Sequence, residues 1–276
     1  MIYLKSENEI DKMRESALLV SRTLAEVGKL IEPGVETGRL DLVAEEYISK
    51  HNARPAFKGY GPKGNEFPGT LCISFFLLCI SINDEVVHGI PGSRKLEEGD
   101  IVSVDCGVEM NGYFGDHAFT FAVGDCDDEA IRLLRVTLES LYKGIEQATH
   151  GNKMGDVANA IQVHNESHGF GVVKDLVGHG IGKSLHEDPS VPNYGRKGKG
   201  ERLREGMTLA IEPMITMGSW RVKTLNDGWT VCTADGSLAA HFEHDIVVRE
   251  GKAEILSTFD YIAELSQKHE KIMTHG

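Results

Sequence analysis

The sequence predicts an α+β fold built from two similar halves, with helices covering one side of a mostly antiparallel sheet. Two strand-like stretches support this prediction, LEEGDIVSVD at 96–105 and LREGMTLAIE at 203–212. They align at an offset of 107 residues, and each ends in a carboxylate. A repeat of this length is too long for a solenoid, so we expect a single catalytic domain over 1–276, with half-repeats at about 6–126 and 127–252.

The repeat continues on both sides of these strands. VVHGI at 86–90 matches VGHGI at 177–181, and DHAFTFAVG at 116–124 matches EHDIVVREG at 243–251. Each half therefore carries a histidine and two carboxylates in the same order. Half-domains folded face to face would bring these residues to one centre, where several carboxylates cannot all stay ionised without a cation. The repeat therefore predicts a metal site.

Helical periodicity precedes the strands of the first half. Ser6 and Glu9 form a capping box ahead of apolar residues that recur at helical spacing as far as Val27. A Pro-Gly pair at 33–34 ends this helix. Thr37 is the predicted cap of a second helix, whose apolar residues face inward.

The second half repeats this plan. Asp127 or Asp128 begins a helix with an apolar face, which the His-Gly pair at 150–151 breaks. A further helix covers about 154–164. Each half is thus predicted to run helix, helix and then strands, which is why the helices are expected on one side of the sheet.

Composition and cysteine usage argue against several classes of protein. The 29 basic and 42 acidic side chains give a net charge of −13, which argues against general nucleic-acid binding. Five cysteines form no CxxC pair, which fits a reducing compartment rather than a disulfide scaffold or a cysteine zinc site. The N-terminus lacks a signal-peptide core, and the longest apolar run, 71–82, is too short for a membrane helix. We expect a cytoplasmic protein that binds neither DNA nor membranes.

Two candidate metal ligands flank a predicted hairpin turn. Asp105 and Asp116 lie on either side of the dipeptide Asn111-Gly112, which favours a two-residue turn. The two positions differ by an odd number of residues, so with a two-residue turn between the strands their side chains leave the same face of the hairpin. Two carboxylates on one face are costly unless both bind a positive group. We therefore interpret this pair as ligands rather than as turn residues.

The second half supplies the matching polar residues. Glu212 closes the apolar strand TLAIE, where burial of a lone carboxylate is unfavourable, and Glu243 lies inside the strand-like HFEHDIVV. His179 stands among glycines that allow close backbone approach, and His186 follows within reach of the same centre. The remaining histidines lack the support of the repeat and are interpreted as ordinary surface or core residues: His51, His150, His164, His168 and His241.

A loop and a duplication precede the strands of the predicted metal site. The Gly/Pro-rich loop at 54–70 carries Phe57, Tyr60 and a further aromatic residue, which indicate either a binding rim or packing against the core. It is followed by LCISFFL at 71–77 and by a near copy, LCISIND, at 78–84.

Segments spread over nearly the whole chain resemble the signature segments of the methionine aminopeptidases of the short bacterial type (type I). In order they are SINDEVVHGIPG, DIVSVDCG, NGYFGDHAFTF, GHGIGKSLHEDP, AIEPM, DGWTV and FEHDIVV. Together they are highly specific, whereas GHGIG alone would be weak. The resemblance implies the pita-bread fold, with two pseudo-symmetric halves. It also implies a metal-dependent aminopeptidase that removes the N-terminal methionine from nascent proteins whose second residue is small.

The same resemblance implies a dinuclear centre and its surroundings. Two divalent ions, of Co, Mn, Fe or Zn, would be held by Asp105, Asp116, His179, Glu212 and Glu243. Asp116 and Glu243 would bridge the ions, His186 would donate to the developing oxyanion and Glu212 would shuttle the proton. The catalytic residues would be His88, His186 and Glu212. The substrate would contact His88, His186, Phe57, Tyr60, Cys79, Leu185 and Trp229.

Two departures from the family pattern bear on these expectations. The position before the histidine of SLHEDP is usually Phe in the family but is Leu185 here, which would loosen the pocket rim. The family has one CIS strand, where this chain has two copies. If the extra copy, which has an odd number of residues, were inserted within the strand, the side chains beyond it would switch to the opposite face of the sheet. We therefore expect 79–82 to form the strand and 71–77 to lie outside it.

The expected partners are the N-termini of nascent polypeptides, association with the ribosome stays open, and we expect a monomer. An X-Pro dipeptidase or aminopeptidase with the same metal fold is the first alternative. Those relatives carry a large extra N-terminal domain, whereas only about 100 residues precede Asp105. A metal-free binding protein of the same fold is the second alternative. Such a protein would be expected to have lost ligands, and all five are present.

Overall fold

The computed structural model describes residues 1–61 and 76–265, and residues 62–75 and 266–276 lie outside that part. The helices of the described part are α1 (Glu7–Gly28), α2 (Thr37–Lys50), α3 (Asp128–Gln147), α4 (Met154–Ser167) and α5 (Asp260–Ala263). Among these helices, none combines the length and the apolar composition that a bilayer crossing requires.

The strands of the described part all pair antiparallel with their neighbours. The predicted α+β class with an antiparallel sheet is therefore confirmed. The strands are β1 (Arg54–Pro55), β2 (Leu78–Ile82), β3 (Glu85–Val87), β4 (Ile101–Met110), β5 (Tyr113–Ala122), β6 (Gly171–Val172), β7 (Gly178–Gly180), β8 (Glu187–Val191), β9 (Thr208–Ile211), β10 (Met214–Thr216), β11 (Val222–Thr224), β12 (Val231–Thr233), β13 (Ala239–His241), β14 (His244–Val247) and β15 (Glu254–Ile255).

Helix α1 begins where the sequence predicts. The backbone N–H of Ser6 donates to Glu9 Oε2 at 2.9 Å, which caps the first turn. The helix packs against β4 and β5, so it covers the hairpin of the first half. The apolar positions at helical spacing are all buried there: Ile10, Met13, Ala17, Val20, Leu24 and Val27.

Helix α2 corrects one predicted cap. Thr37 is the first helical residue, and Glu36 occupies the N-cap position. The Thr37 hydroxyl instead accepts from the N–H of Gly92 at 2.8 Å and donates to the Gly92 carbonyl at 3.2 Å. Because this hydroxyl ties the helix to a loop that is distant in sequence, it does not cap its own first turn.

Strands β4 and β5 form a hairpin that pairs along all ten residues of each strand. The turn residues Asn111 and Gly112 have φ values of 56° and 78°. Positive φ at both central positions is what a type I′ hairpin turn requires, so the predicted Asn-Gly turn is confirmed. On its other edge β4 pairs with β2, where Cys79 lies opposite Asp105.

Strand β2 comes from the second copy of the duplicated segment, as predicted. Asp41 on α2 fixes its start, because Asp41 Oδ1 accepts from the N–H groups of Leu77 and Leu78 at 2.9 and 2.8 Å. The predicted placement of the first copy falls mostly outside the described residues, since only Phe76 and Leu77 of 71–77 are described.

The end of β2 is fixed by a turn residue. Asn83 has a φ of 59°, a left-handed conformation that asparagine adopts more readily than most side chains. Its side-chain carbonyl accepts from the N–H of Ile101 at 3.1 Å, and its amide donates to Asp100 Oδ1 at 2.7 Å. These bonds tie the turn after β2 to the start of β4.

The two halves meet where β5 lies beside β14. The N–H of Glu243 donates to the carbonyl of Ala118 at 3.0 Å, and the N–H of Asp116 donates to Asp245 Oδ2 at 2.8 Å. From β14 the second half continues as a sheet in the order β15-β14-β9-β7-β8. Segments that match in the repeat are thus in contact, whereas the boundaries of the half-repeats stay a prediction.

Candidate active site

The first half supplies two carboxylates from one face of the β4–β5 hairpin. Asp105 lies opposite Ala118, and Asp116 lies opposite Gly107. The two carboxylates are therefore diagonal neighbours on the same face, as predicted. A Cβ on Gly107 would lie 2.8 Å from Phe57 Cε1, so the missing side chain lets Phe57 pack against the hairpin.

The second half supplies a histidine and two carboxylates from neighbouring strands. His179 on β7 lies opposite Ala210 of β9, and Glu212 follows β9 directly. Glu243 immediately precedes β14, which pairs with β9 on its other side. The sheet order β14-β9-β7 therefore places these three polar residues side by side.

The polar side chains of the two halves converge. One ligand atom from each of Asp116, His179 and Glu243 lies within 4.8 Å of the others. His179 Nε2 is 3.7 Å from Asp116 Oδ2 and 3.7 Å from Glu212 Oε1. The structure thus brings the five predicted metal ligands to the wall of one cavity: Asp105, Asp116, His179, Glu212 and Glu243.

Burial and mutual repulsion raise the pKa of three of these carboxyl groups. Burial is the largest cause in each case, and neighbouring carboxylates add to it. The pKa of Asp105 rises to about 7, and the pKa values of Asp116 and Glu243 rise well above their usual range. Burial also raises the pKa of Glu212, but its interactions with His241, and further with His179 and His186, outweigh burial and lower that pKa.

The donor set fits a divalent cation. Asp105 Oδ1 and Glu243 Oε1 are closed off from solvent and have no hydrogen-bond partner among the described residues. Buried acceptors without a donor are rare in folded proteins, and a cation satisfies several carboxylate oxygens at once. Four carboxylates and one imidazole suit Mn, Fe, Co or Zn. The residues present therefore fit a metal centre.

A cavity of about 140 Å³ lies against this cluster. Its apolar wall includes Phe57, Cys79 and Trp229, and burial raises the pKa of the Cys79 thiol well above its usual range, so that thiol stays neutral. Leu185, predicted to line the pocket, is buried in the same hydrophobic cluster as Phe57 and Cys79 but is not among the described residues that line the cavity. The predicted substrate residues that do line it are Phe57, Tyr60, Cys79, His88, His186 and Trp229.

His186 stands over the cluster as a neutral imidazole. Its ring centroid lies 4.0 Å from that of His179. Burial and the neighbouring His179 lower the pKa of His186 to about 4. Its Nδ1 forms a hydrogen bond with the hydroxyl of Tyr60, whose pKa is raised by burial. A phenol that donates to Nδ1 leaves the ring proton of a neutral imidazole on Nε2.

His88 faces the cavity from a strained backbone. Its φ is 60°, a left-handed conformation that is uncommon for a residue with a side chain and clusters at functional sites. The Thr230 hydroxyl lies 3.5 Å from its carbonyl, and the Trp229 ring meets the His88 ring edge-on at 6.0 Å between centroids. Burial lowers the pKa of His88, so this ring is also neutral near pH 7.

Sequence reasoning missed two residues that touch the site. His241, interpreted as ordinary, has its Nε2 3.4 Å from Glu212 Oε2. Asp245 binds the N–H of Asp116, as described above, and is itself 1% exposed. A usable signal existed for His241, because residues two apart in an extended segment share a face and Glu243 follows it by two.

A family model for metallopeptidase family M24 matches residues 11–250. The chain belongs to metallopeptidase family M24. Within M24, a methionine aminopeptidase from Clostridium perfringens is 52% identical over 258 residues, which is 93% of this chain and 99% of that relative. Methionine aminopeptidase 1 from Bacillus subtilis is 49% identical over 257 residues, again 93% of this chain and 99% of that relative.

Solved M24 structures confirm the fold. The methionine aminopeptidase from Thermotoga maritima has a TM-score of 0.87 at 47% identity, covering 94% of this chain and 100% of that chain. The X-Pro aminopeptidase from Thermotoga maritima MSB8 has a TM-score of 0.70 at 20% identity, covering 92% of this chain but 62% of that one. The second likeness concerns the fold alone. The predicted family and pita-bread fold are confirmed.

Proposed function

We propose that this M24 chain is a metal-dependent aminopeptidase that removes the N-terminal methionine from polypeptides whose second residue is small. The observation that carries the proposal is a single cavity with two unlike walls, in which carboxylates and His179 face an apolar wall. Relatives that are named methionine aminopeptidase and match over nearly their whole length support the same activity.

The residues that would hold the metal come from both halves of the repeat. Two divalent ions would be held by Asp105, Asp116, His179, Glu212 and Glu243, and the family resemblance implies that Asp116 and Glu243 would be shared between them. Bound there, the cations supply a Lewis acid and a nucleophilic water near neutral pH. Co, Mn, Fe and Zn all suit these ligands.

The other chemical roles fall to side chains of this chain. With Tyr60 donating to its Nδ1, His186 would carry its proton on Nε2 and would donate to the oxyanion that develops on the first peptide carbonyl. Glu212 has a lowered pKa and is therefore ionised near neutral pH, so it can accept a proton and pass it to the leaving amine. His88 and His186, both neutral, would orient the peptide beside the cluster.

The cavity explains the expected side-chain preference. An apolar wall of Phe57, Cys79 and Trp229 fits a flexible, unbranched thioether better than a charged or branched side chain. His88 and His186 would crowd the exit, so only small second residues should pass. Peptides that begin Met-Gly, Met-Ala or Met-Ser should be cut, and peptides that begin Met-Lys or Met-Phe should barely be cut.

Metal removal and reconstitution test the proposal. Chelator-treated protein should lose cleavage of Met-Ala-Ser and regain it with Mn²⁺. Asp116→Asn and Glu243→Gln should each abolish turnover, because a bridging carboxylate holds both ions, whereas Glu205→Gln, at an exposed carboxylate, should not. Near-normal activity in either bridging variant would contradict the dinuclear centre. Cleavage of Ala-Pro peptides in preference to Met-Ala-Ser would indicate an X-Pro peptidase instead.

Ribosome association, a monomeric state, a cytoplasmic location and the choice of native metal stay predictions. Co-sedimentation would test association with ribosomes, and light scattering would test the monomeric state. Metal analysis of protein purified from its own cells would identify the native metal. These properties are separable from the chemistry, since the cavity and its ligands lie within one chain.

A further inference from the structure

His241 is buried beside the proposed metal ligand Glu212. It ends strand β13 and is 1% exposed. Its Nε2 lies 3.4 Å from Glu212 Oε2, whereas the other carboxylate oxygen, Oε1, lies 3.7 Å from His179 Nε2. The two oxygens of one carboxylate thus face different histidines, one inside the proposed ligand set and one outside it.

The backbone of His241 is held by two strands. Its N–H donates to Thr120 Oγ1 at 3.0 Å, and its carbonyl accepts from the same hydroxyl at 2.7 Å. On the other side His241 is paired with Met214 of β10. Because the ring is also enclosed, it cannot turn away from Glu212 without disturbing its neighbours.

Within the described part of the chain, the Glu212 carboxylate contacts His179 and His241. It follows β9 directly, and its backbone carbonyl accepts from Asn193 Nδ2 at 2.9 Å. That bond holds the backbone of Glu212 but does not involve its carboxylate. The orientation of the carboxylate is therefore set by neighbouring side chains. Neither ring nitrogen of His241 has a well-formed hydrogen bond within the described part of the chain. A buried imidazole N–H and a carboxylate oxygen in this position are a matched donor and acceptor.

We propose that His241 is a positioning residue, whose Nε2–H donates to Glu212 Oε2 and thereby holds Glu212 Oε1 toward His179 and the metal centre. The inference rests on the proposed role of Glu212 as a ligand. The separation of 3.4 Å is a few tenths of an ångström longer than an ideal N–H···O bond. A small rotation of the carboxylate closes that gap, and hydrogen bonds of this kind often tighten when a site is filled.

The competing explanation is that His241 only fills space. The two roles make different demands, because filling space requires volume and positioning requires a donor at the place of Nε2. Glutamine carries its amide nitrogen the same number of bonds from Cα as histidine Nε2, whereas the amide of asparagine stops one bond short. Methionine keeps much of the volume and has no donor. His241→Gln should therefore rescue a positioning role, and His241→Asn and His241→Met should not.

Metal binding and turnover are measured together on all four proteins. Each chelator-treated protein is titrated with Mn²⁺ by calorimetry, and its kcat and KM for Met-Ala-Ser are determined at saturating Mn²⁺. We expect His241→Asn and His241→Met to bind Mn²⁺ roughly 10- to 100-fold more weakly, the usual effect of losing a residue that orients a ligand. Their kcat should fall more than KM rises. The Mn²⁺ affinity and the kcat of His241→Gln should both stay within about threefold of the wild-type values.

The outcomes separate this inference from the proposed function. Wild-type protein that neither binds Mn²⁺ nor cleaves Met-Ala-Ser would overturn the proposed function itself. Wild-type protein that does both, with His241→Met and His241→Asn equal to it, would overturn the role of His241 alone. A His241→Gln variant as impaired as His241→Met would show that shape rather than the donor matters. If His241→Met does not fold, the pair His241→Gln and His241→Asn still decides the question.

Discussion

Removing one copy of the duplicated segment tests how strand β2 is anchored. Two deletions of equal length give chains of the same length with different junctions before Leu78. Deletion of 71–77 places Thr70 directly before Leu78, whereas deletion of 70–76 leaves Leu77 in its own place. In both variants a backbone N–H remains at the position of Leu77 to donate to Asp41. The two proteins therefore differ in one side chain at the junction.

The structure sets the size of the expected difference. Leu77 is fully buried in the hydrophobic core, and its replacement by threonine removes apolar volume and introduces a hydroxyl. Shortening a buried leucine to alanine costs about 2–5 kcal/mol, and threonine recovers part of that volume. We expect both deletion variants to fold and to cleave Met-Ala-Ser. Deletion of 71–77 should leave the protein about 2–4 kcal/mol less stable than deletion of 70–76.

Urea denaturation of the metal-free proteins, followed by circular dichroism, gives the free energy of unfolding for this comparison. Turnover of Met-Ala-Ser after addition of Mn²⁺ reports whether the site survives. Equal stability of the two variants would refute the assigned contribution of the Leu77 side chain. An insoluble product from deletion of 70–76 would show that the first copy belongs to the core, against the prediction that it lies outside the strand.

Three other side chains give predictions with different readouts. Burial raises the pKa of Asp41 from 3.8 to about 6, so the stability that its neutral form contributes is present below about pH 4 and is lost as pH rises through 6. Asp41→Asn should therefore gain on the order of 3 kcal/mol at pH 8 and almost nothing at pH 4 by urea denaturation, and a gain that does not change with pH would contradict this. His186→Ala should lower kcat roughly 10²–10³-fold with bound metal unchanged, and loss of metal would make His186 a ligand. Tyr60→Phe removes the donor to His186 Nδ1 and should lower kcat up to about tenfold. Unchanged ¹⁵N chemical shifts of the His186 ring in Tyr60→Phe would refute the hydrogen bond between Tyr60 and Nδ1.

Features that depend on neighbours in sequence could be predicted. The capping box of Ser6 and Glu9 lies within one helical turn, and the turn at Asn111-Gly112 needs only two residues of the right type. Asp105 and Asp116 can be placed on the same face because side chains alternate along each strand and the length of the turn between the strands is known. In each case the deciding interaction joins residues that are close in sequence, so the alternation and spacing of residue types are enough to predict it.

Features that depend on contacts between distant segments could not be predicted in the same way. Nothing near Thr37 in sequence indicates that its hydroxyl binds Gly92. The contact of Asp245 with the N–H of Asp116 joins strands from different halves, and the contact of His241 with Glu212 joins β13 to the residue that follows β9. Short strands carry weak periodicity, so which polar side chains meet is decided by the sheet order.

The turn at Asn83 has a consequence for how the chain folds. The sequence offers β4 two nearly identical partners, since LCIS occurs at 71–74 and again at 78–81. Asn83 follows the second copy and adopts a φ of 59°, whereas the equivalent place after the first copy holds Phe76. A left-handed phenylalanine backbone costs on the order of 1–3 kcal/mol and brings no side-chain bond to Ile101 or Asp100. Asn83 thus favours pairing of β4 with the second copy, so its replacement should weaken the preference for one strand pairing although every residue of the strand stays the same.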